Sequence, residues 1–117
     1  METVTVLFEV TLKEGHMDRY LGLAASLKED LAKAEGFLGA ERFQSLVNPN
    51  KILSKSQWRD EESVRLWRNQ ARHRACQRAG REEDFEDYRI TVVTPLRTYT
   101  LEDRGEAPGD SNACFAV

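Results

Sequence analysis

The sequence predicts an α+β fold with the order β-α-β-β-α-β, a ferredoxin-like arrangement of two helices on one face of a four-stranded antiparallel sheet. Three observations predict it. Val4, Val6, Phe8, Val10 and Leu12 alternate with Thr3, Thr5, Glu9 and Thr11, the two-residue period of a strand buried on one face. Met17, Tyr20, Leu21, Ala24, Leu27 and Leu31 then recur at spacings of three and four, the stripe of an amphipathic helix. Asn48-Pro49-Asn50 is a tight turn between two further strand-like runs, which makes them an antiparallel hairpin.

In order, Lys13-Glu14-Gly15 turns the chain from the first strand into a helix over 16–34, and Gly36 supplies the left-handed stop that helices commonly use. The second strand is expected over 37–46 and the third over 52–58. Asp60 is placed to cap a second helix, with Glu61 and Glu62 in the first turn, where negative charge meets the positive helix end. Val64, Trp67 and Ala71 form its apolar line, and a further helical piece runs to Ala79, ended by Gly80. Residues 81–86 are charged and expected to be irregular. Tyr88, Ile90 and Val92 share one face of a fourth strand, which Pro95 interrupts, and 96–101 can resume as a strand segment. The domain is expected over 1–101, with 102–117 a flexible tail rich in Gly, Pro, Asp, Ser and Asn.

Two helices cover one sheet face and leave the other bare. Leu7, Glu9, Gly39, Glu41, Leu53, Thr91 and Val93 are expected on the bare face. A face that mixes apolar and charged side chains in this way is best hidden by a second copy of itself. A homodimer is expected, the two sheets meeting as a barrel.

Composition narrows the function classes. The chain is 40% hydrophobic and 32% charged, that of an ordinary globular domain. Seventeen basic and 20 acidic residues give a net charge of −3, which draws the chain to neither nucleic acid nor membrane. Eight arginines between 59 and 89 are matched by eight acids, the pattern of a solvated, ion-paired face. No apolar run approaches the ~20 residues of a bilayer span. No signal-type core precedes Thr3, so a cytoplasmic location is expected. Cys76 and Cys114 suggest no disulfide framework, and the terminal Cys114-Phe-Ala-Val is read as an ordinary thiol. With two histidines and no paired metal motif, no metal site is expected.

The residues Gly15 with Tyr20, Gly36-Phe37 through Glu41-Arg42-Phe43, Trp58-Arg-Asp-Glu-Glu, Trp67-Arg, His73-Arg74 with Gln77, Gly80-Arg81 and Tyr88-Arg89, in that order and spacing, resemble the antibiotic biosynthesis monooxygenase family of the dimeric α+β barrel superfamily. The resemblance covers about residues 3–100. It implies a pocket between the helices and the sheet, with Phe8, Phe43 and Trp67 as candidates to bind substrate and His73, Tyr88 and Trp58 as candidates for catalysis. It further implies a cofactor-independent monooxygenase for a small aromatic or quinol-like molecule, with His73 as the base, because an unperturbed histidine is largely neutral at pH 7. His73 also stands between Arg72 and Arg74, which fits a surface position, and Trp67 at helical spacing fits a core residue. A haem cofactor is disfavoured. The haem-degrading branch carries a first-strand asparagine where Phe8 stands, and its tryptophan and histidine are ten residues apart, against six from Trp67 to His73. Two further readings remain: a non-catalytic barrel that binds a small hydrophobic ligand or acts as an accessory protein, and an isomerase or cyclase.

Overall fold

The computed structural model describes residues 3–113, with the side chains of Ala71 and Arg72 left aside. Its sheet is built from β1 (Val4–Leu12), β2 (Phe37–Gln44), β3 (Lys51–Trp58) and β4 (Phe85–Val93), in the order β2-β3-β1-β4 with every pairing antiparallel. This is the expected ferredoxin-like sheet. The first helix is more broken than the sequence suggested and divides at Leu27 into α1 (Met17–Ser26) and α2 (Lys28–Ala32). The second helical region comes in two pieces, as expected, α3 (Glu61–Arg68) and α4 (Ala71–Ala79), with Ala71 opening the second piece.

Directly opposed residues of neighbouring strands share a face, so the register lays out rows across the helix-covered side. Val4, Trp58 and Phe37 form the first row. Val92, Val6, Ser56 and Ala40 form the second, and Ile90, Phe8, Ser54 and Arg42 the third. Tyr88, Val10, Ile52 and Gln44 form the fourth. The buried core sits over the outer rows in two parts. Val4 and Trp58 pack with Val64 of α3, while Val10, Leu12 and Ile52 pack with Tyr20 of α1.

Backbone geometry joins the layers at two glycines. Gly36 has φ of 78°, and a Cβ there would run into the buried Ser63 side chain. Its carbonyl accepts from Arg59 N–H at 2.7 Å, which brings the end of β3 to the turn before β2. Asp60 then caps α3 as expected, accepting from Ser63 N–H at 2.8 Å and Ser63 Oγ at 2.7 Å. The Ser63 hydroxyl, the Ser63 N–H and Arg59 hold the Asp60 carboxyl down to about 2.

Gly80 does not end the helical path. Its φ of −60° is helical, and the chain continues through a π-helical turn, Gly80–Asp84, before β4 begins at Phe85. The cause lies 68 residues away in the sequence. Asp84 is fully buried, and its Oδ1 is 2.8 Å from His16 Nδ1. Arg19 Nε lies 2.9 Å from Oδ1 and 3.2 Å from Oδ2. The Asp84 carbonyl accepts from Lys13 N–H at 2.9 Å. The wider turn delivers that carboxylate to the start of α1 and tucks the Phe85 ring against Gly80, where a Cβ would meet it at 2.5 Å.

No strand follows β4 among the described residues. Leu96 and Leu101 stand almost wholly exposed on the extended segment beyond it. The end of the chain, expected to be a flexible tail, contains a short helix, Gly109–Ala113 (α5). It is tied back by Arg104 Nε to Asn112 Oδ1 at 3.0 Å, and Thr98 N–H donates to Glu106 at 2.9 Å. Cys114 and the residues after it lie outside the described part. No helix among the described residues is long and apolar enough to cross a membrane.

Candidate active site

The predicted site residues do not converge on one point. Trp58, Trp67 and His73 are together. The ring centroids of Trp58 and Trp67 are 6.2 Å apart, and those of Trp67 and His73 are 4.9 Å apart with a 34° tilt. Phe37 closes the ladder edge-on against Trp58 at 5.3 Å. Trp58 is 1% exposed, and its one N–H donates to Ser56 Oγ at 2.9 Å. Having one donor, already engaged, and no exposed face, Trp58 supports the site from behind rather than meeting a substrate.

Phe8 and Tyr88 belong to a second aromatic group with Phe85 and Tyr20. Phe8 and Tyr88 are 6.0 Å apart, Phe8 and Phe85 5.8 Å, and Tyr20 and Phe85 6.0 Å. Tyr88 faces Val10 on β1, whereas Trp58 faces Val4. Six residues of strand separate them, about 20 Å at ~3.3 Å per residue. One small molecule cannot touch both. Phe43 lies on the other side of the sheet. It pairs with Leu53, whose β1 partner is Glu9, and is 43% exposed on the bare face. The parity of β2 already put Phe43 with Gly39 and Glu41, and that signal excludes it from a pocket beneath the helices.

His73 is not a surface residue despite its arginine neighbours. It lies in the first turn of α4, where its N–H donates to the side-chain oxygen of Gln70, the helix cap, at 2.7 Å. Gln70 in turn reaches Asp30 of α2 at 3.4 Å, so the start of α4 is held against the first helical layer. Burial pushes the His73 pKa below its ordinary value, and the Arg74 charge adds to that. The carbonyls of Arg68 and Trp67, as acceptors, pull the other way. His73 Nδ1 is buried and has no hydrogen-bond partner. A buried ring nitrogen left unpaired is uncommon in a folded protein.

Between the two buried clusters, the second and third rows form a trough across the sheet. Val6, Phe8, Ser54 and Ser56 are half-buried there, while Ile90 and Val92 at the β4 end are 46% and 48% exposed although they lie on the helix side. Sequence reasoning missed the two serines and Arg42 in these rows, because only the strand register brings them beside Phe8. A separate shallow depression of about 310 Å³ lies between α2 and α3, with Trp67 and Gln70 in its wall. No cluster of three His, Cys, Asp or Glu side chains among the described residues is arranged to hold a metal ion.

A four-stranded antiparallel sheet in the order β2-β3-β1-β4 with two broken helices on one face defines a ferredoxin-like α+β domain. The family model described as antibiotic biosynthesis monooxygenase matches residues 3–79, and the chain belongs to that family. A jasmonate monooxygenase of Pyricularia oryzae is 42% identical over 87 residues, 74% of this chain. The matched part is 40% of that relative's length, so the chain spans about two fifths of it. SnoaB, a cofactor-independent oxygenase from Streptomyces nogalater, superposes with a TM-score of 0.73 at 17% identity, covering 84% of this chain and 97% of that one. The structure of Rv0793 from Mycobacterium tuberculosis superposes with a TM-score of 0.75 at 12% identity, covering 84% and 99%. At these identities the structural likeness shows a shared fold.

Proposed function

We propose that the protein is a monooxygenase for a small, largely apolar molecule and that His73 is its base, working without a cofactor. The unpartnered, buried Nδ1 of His73 against the Trp67 ring carries this reading. On this reading Nδ1, which makes no hydrogen bond, carries the free lone pair and the ring hydrogen is on Nε2. Burial keeps that imidazole neutral at pH 7, the state a base requires.

With an aromatic or quinol-like substrate the chemistry balances on substrate and oxygen alone. His73 takes a proton from the activated C–H or O–H. The electron-rich anion reduces dioxygen; in an anthrone the CH2 group becomes C=O, in a hydroquinone a ring C–H becomes C–OH as the ring is oxidised to the quinone, and the second oxygen atom leaves as water. The four electrons that reduce dioxygen all come from the substrate. The expected outcome is oxygen uptake by metal-free protein with anthrones or hydroquinones, lost in His73→Ala. Uptake that persists in His73→Ala, or no uptake with any of them, contradicts the reading.

The jasmonate relative favours a second reading, in which the substrate is an apolar carboxylic acid. Hydroxylating a saturated C–H consumes two electrons beyond those of the substrate. Uptake with jasmonate would then require an added two-electron donor such as NAD(P)H or ascorbate, and this requirement separates the two readings.

We also infer a homodimer. The bare face carries Leu7, Phe43, Leu53 and Val93 among charged groups such as Glu9 and Lys51, which pair at 3.5 Å. The chain is extended for its length. Its radius of gyration is 16.6 Å, against about 13 Å for a compact domain of this size. Sedimentation at twice the 13.4 kDa chain mass is expected, and a stable monomer contradicts the dimer.

A further inference from the structure

Arg19 is held by Asp84, Arg59 by Asp60 and Glu35, and Arg65 by Glu62. Among the described residues, Arg42 is one of the arginines that no carboxylate holds. Its strand partner is Ser54, whose partner is Phe8, whose partner in turn is Ile90, so it stands at the β2 end of the third row on the helix side. Its guanidinium lies against the Tyr20 hydroxyl, lowering a phenol pKa that burial raises by more. One phenol engages only part of a fork with five N–H donors. Arg42 is exposed at its end of the third row, so the remaining donors are open to a ligand.

We propose that Arg42 receives the carboxylate of an apolar acid whose hydrocarbon part lies across Phe8 toward Ile90 and Val92. Charge is at one end of the row, the Ser54 hydroxyl is next to it with Ser56 in the row alongside, and exposed apolar surface is at the other end. Four strands ~4.8 Å apart make that row about 14 Å long, the extended length of an acid with ten to twelve heavy atoms in line. A guanidinium binds a carboxylate through two parallel hydrogen bonds, which a neutral ester cannot reproduce. The inference rests on the acid-substrate reading above and gives it a named anchor. It concerns binding alone, so no redox step enters.

The test is quenching of tryptophan fluorescence by jasmonic acid and by its neutral methyl ester, in wild type, Arg42→Gln and Arg42→Lys. The readout is the ratio of the two dissociation constants, which a fraction of misfolded protein does not shift. Wild type is expected to bind the acid more tightly. Arg42→Gln is expected to lose about tenfold or more in acid binding with the ester unchanged, and Arg42→Lys to retain part of the preference. An unchanged ratio in Arg42→Gln overturns the proposal, as does a wild type that binds the ester as well as the acid or binds neither. Oxygen uptake is measured separately. Its absence counts against the monooxygenase reading, and the acid-to-ester ratio still decides the role of Arg42.

Discussion

At one end of the helix-covered sheet face a histidine is buried with Nδ1 unpaired, and at the other a carboxylate is buried with both oxygens engaged. The Asp84 end resembles ordinary structure. The Asp84 carboxylate is bonded by His16 Nδ1 and by the Arg19 guanidinium, and it anchors a π-turn to α1. The His73 end is incomplete in the same sense of accounting for polar atoms. Both ends carry stacked aromatics, so aromatic content does not distinguish a site from a core. On the proposed reading, the unsatisfied polar atom does.

The largest expected effect on activity is at the incomplete end. His73→Ala should lower oxygen uptake by about 10²-fold or more, the usual contribution of a positioned base, while circular dichroism stays that of the folded protein. The largest effect on stability is beneath it. Trp58→Ala empties a fully buried site and should cost about 3–5 kcal/mol in urea unfolding. At the satisfied end, Asp84→Asn should cost about 1–3 kcal/mol with little change in kcat, because it weakens charged hydrogen bonds and touches no substrate. A large loss of kcat in Asp84→Asn with stability intact would reverse the comparison. Phe43→Ser, on the opposite face, should leave kcat within about twofold and weaken self-association instead, read by sedimentation.

The two ends also separate by pH. The folded His73 pKa is lowered, so its neutral form is favoured in the native state. Above about pH 6.5 it is neutral whether folded or unfolded and does not alter stability. As pH falls below that value the unfolded state takes the proton first, and stability declines until the folded imidazole is protonated as well. The acid limb of the rate profile should follow the folded value and lie below about 6.5. Asp60 behaves independently. Its lowered carboxyl favours the folded state above the ordinary pKa of 3.8 and loses that contribution as pH falls through about 2, seen as a separate acid transition in thermal melts.

Much of the architecture was legible because it depends on local periodicity. The alternation of Val4 to Leu12 fixed which side of β1 meets the helices, and it put Leu7 and Glu9 on the bare face where they are found. The site was harder to read because it depends on distance and orientation. Arg72 and Arg74 flank His73 in sequence, but neighbours on a helix point ~100° apart, so they do not fix where its ring points. The Gly80 stop failed because the π-turn is imposed by the contact of Asp84 with His16 and Arg19, which no local pattern records. Arg42 was invisible as a trough residue until the β2 register, shifted between Phe37 and Gly39, set it opposite Ser54.

The most direct measurement is an NMR titration of the two imidazoles between about pH 4 and 8, assigned with His16→Gln, with and without a substrate that supports oxygen uptake. A His73 midpoint below about 6.5 is expected in the free protein, moving when substrate binds. A His73 midpoint at or above that of a free imidazole, unmoved by a substrate that is turned over, would contradict the role of His73 as the base.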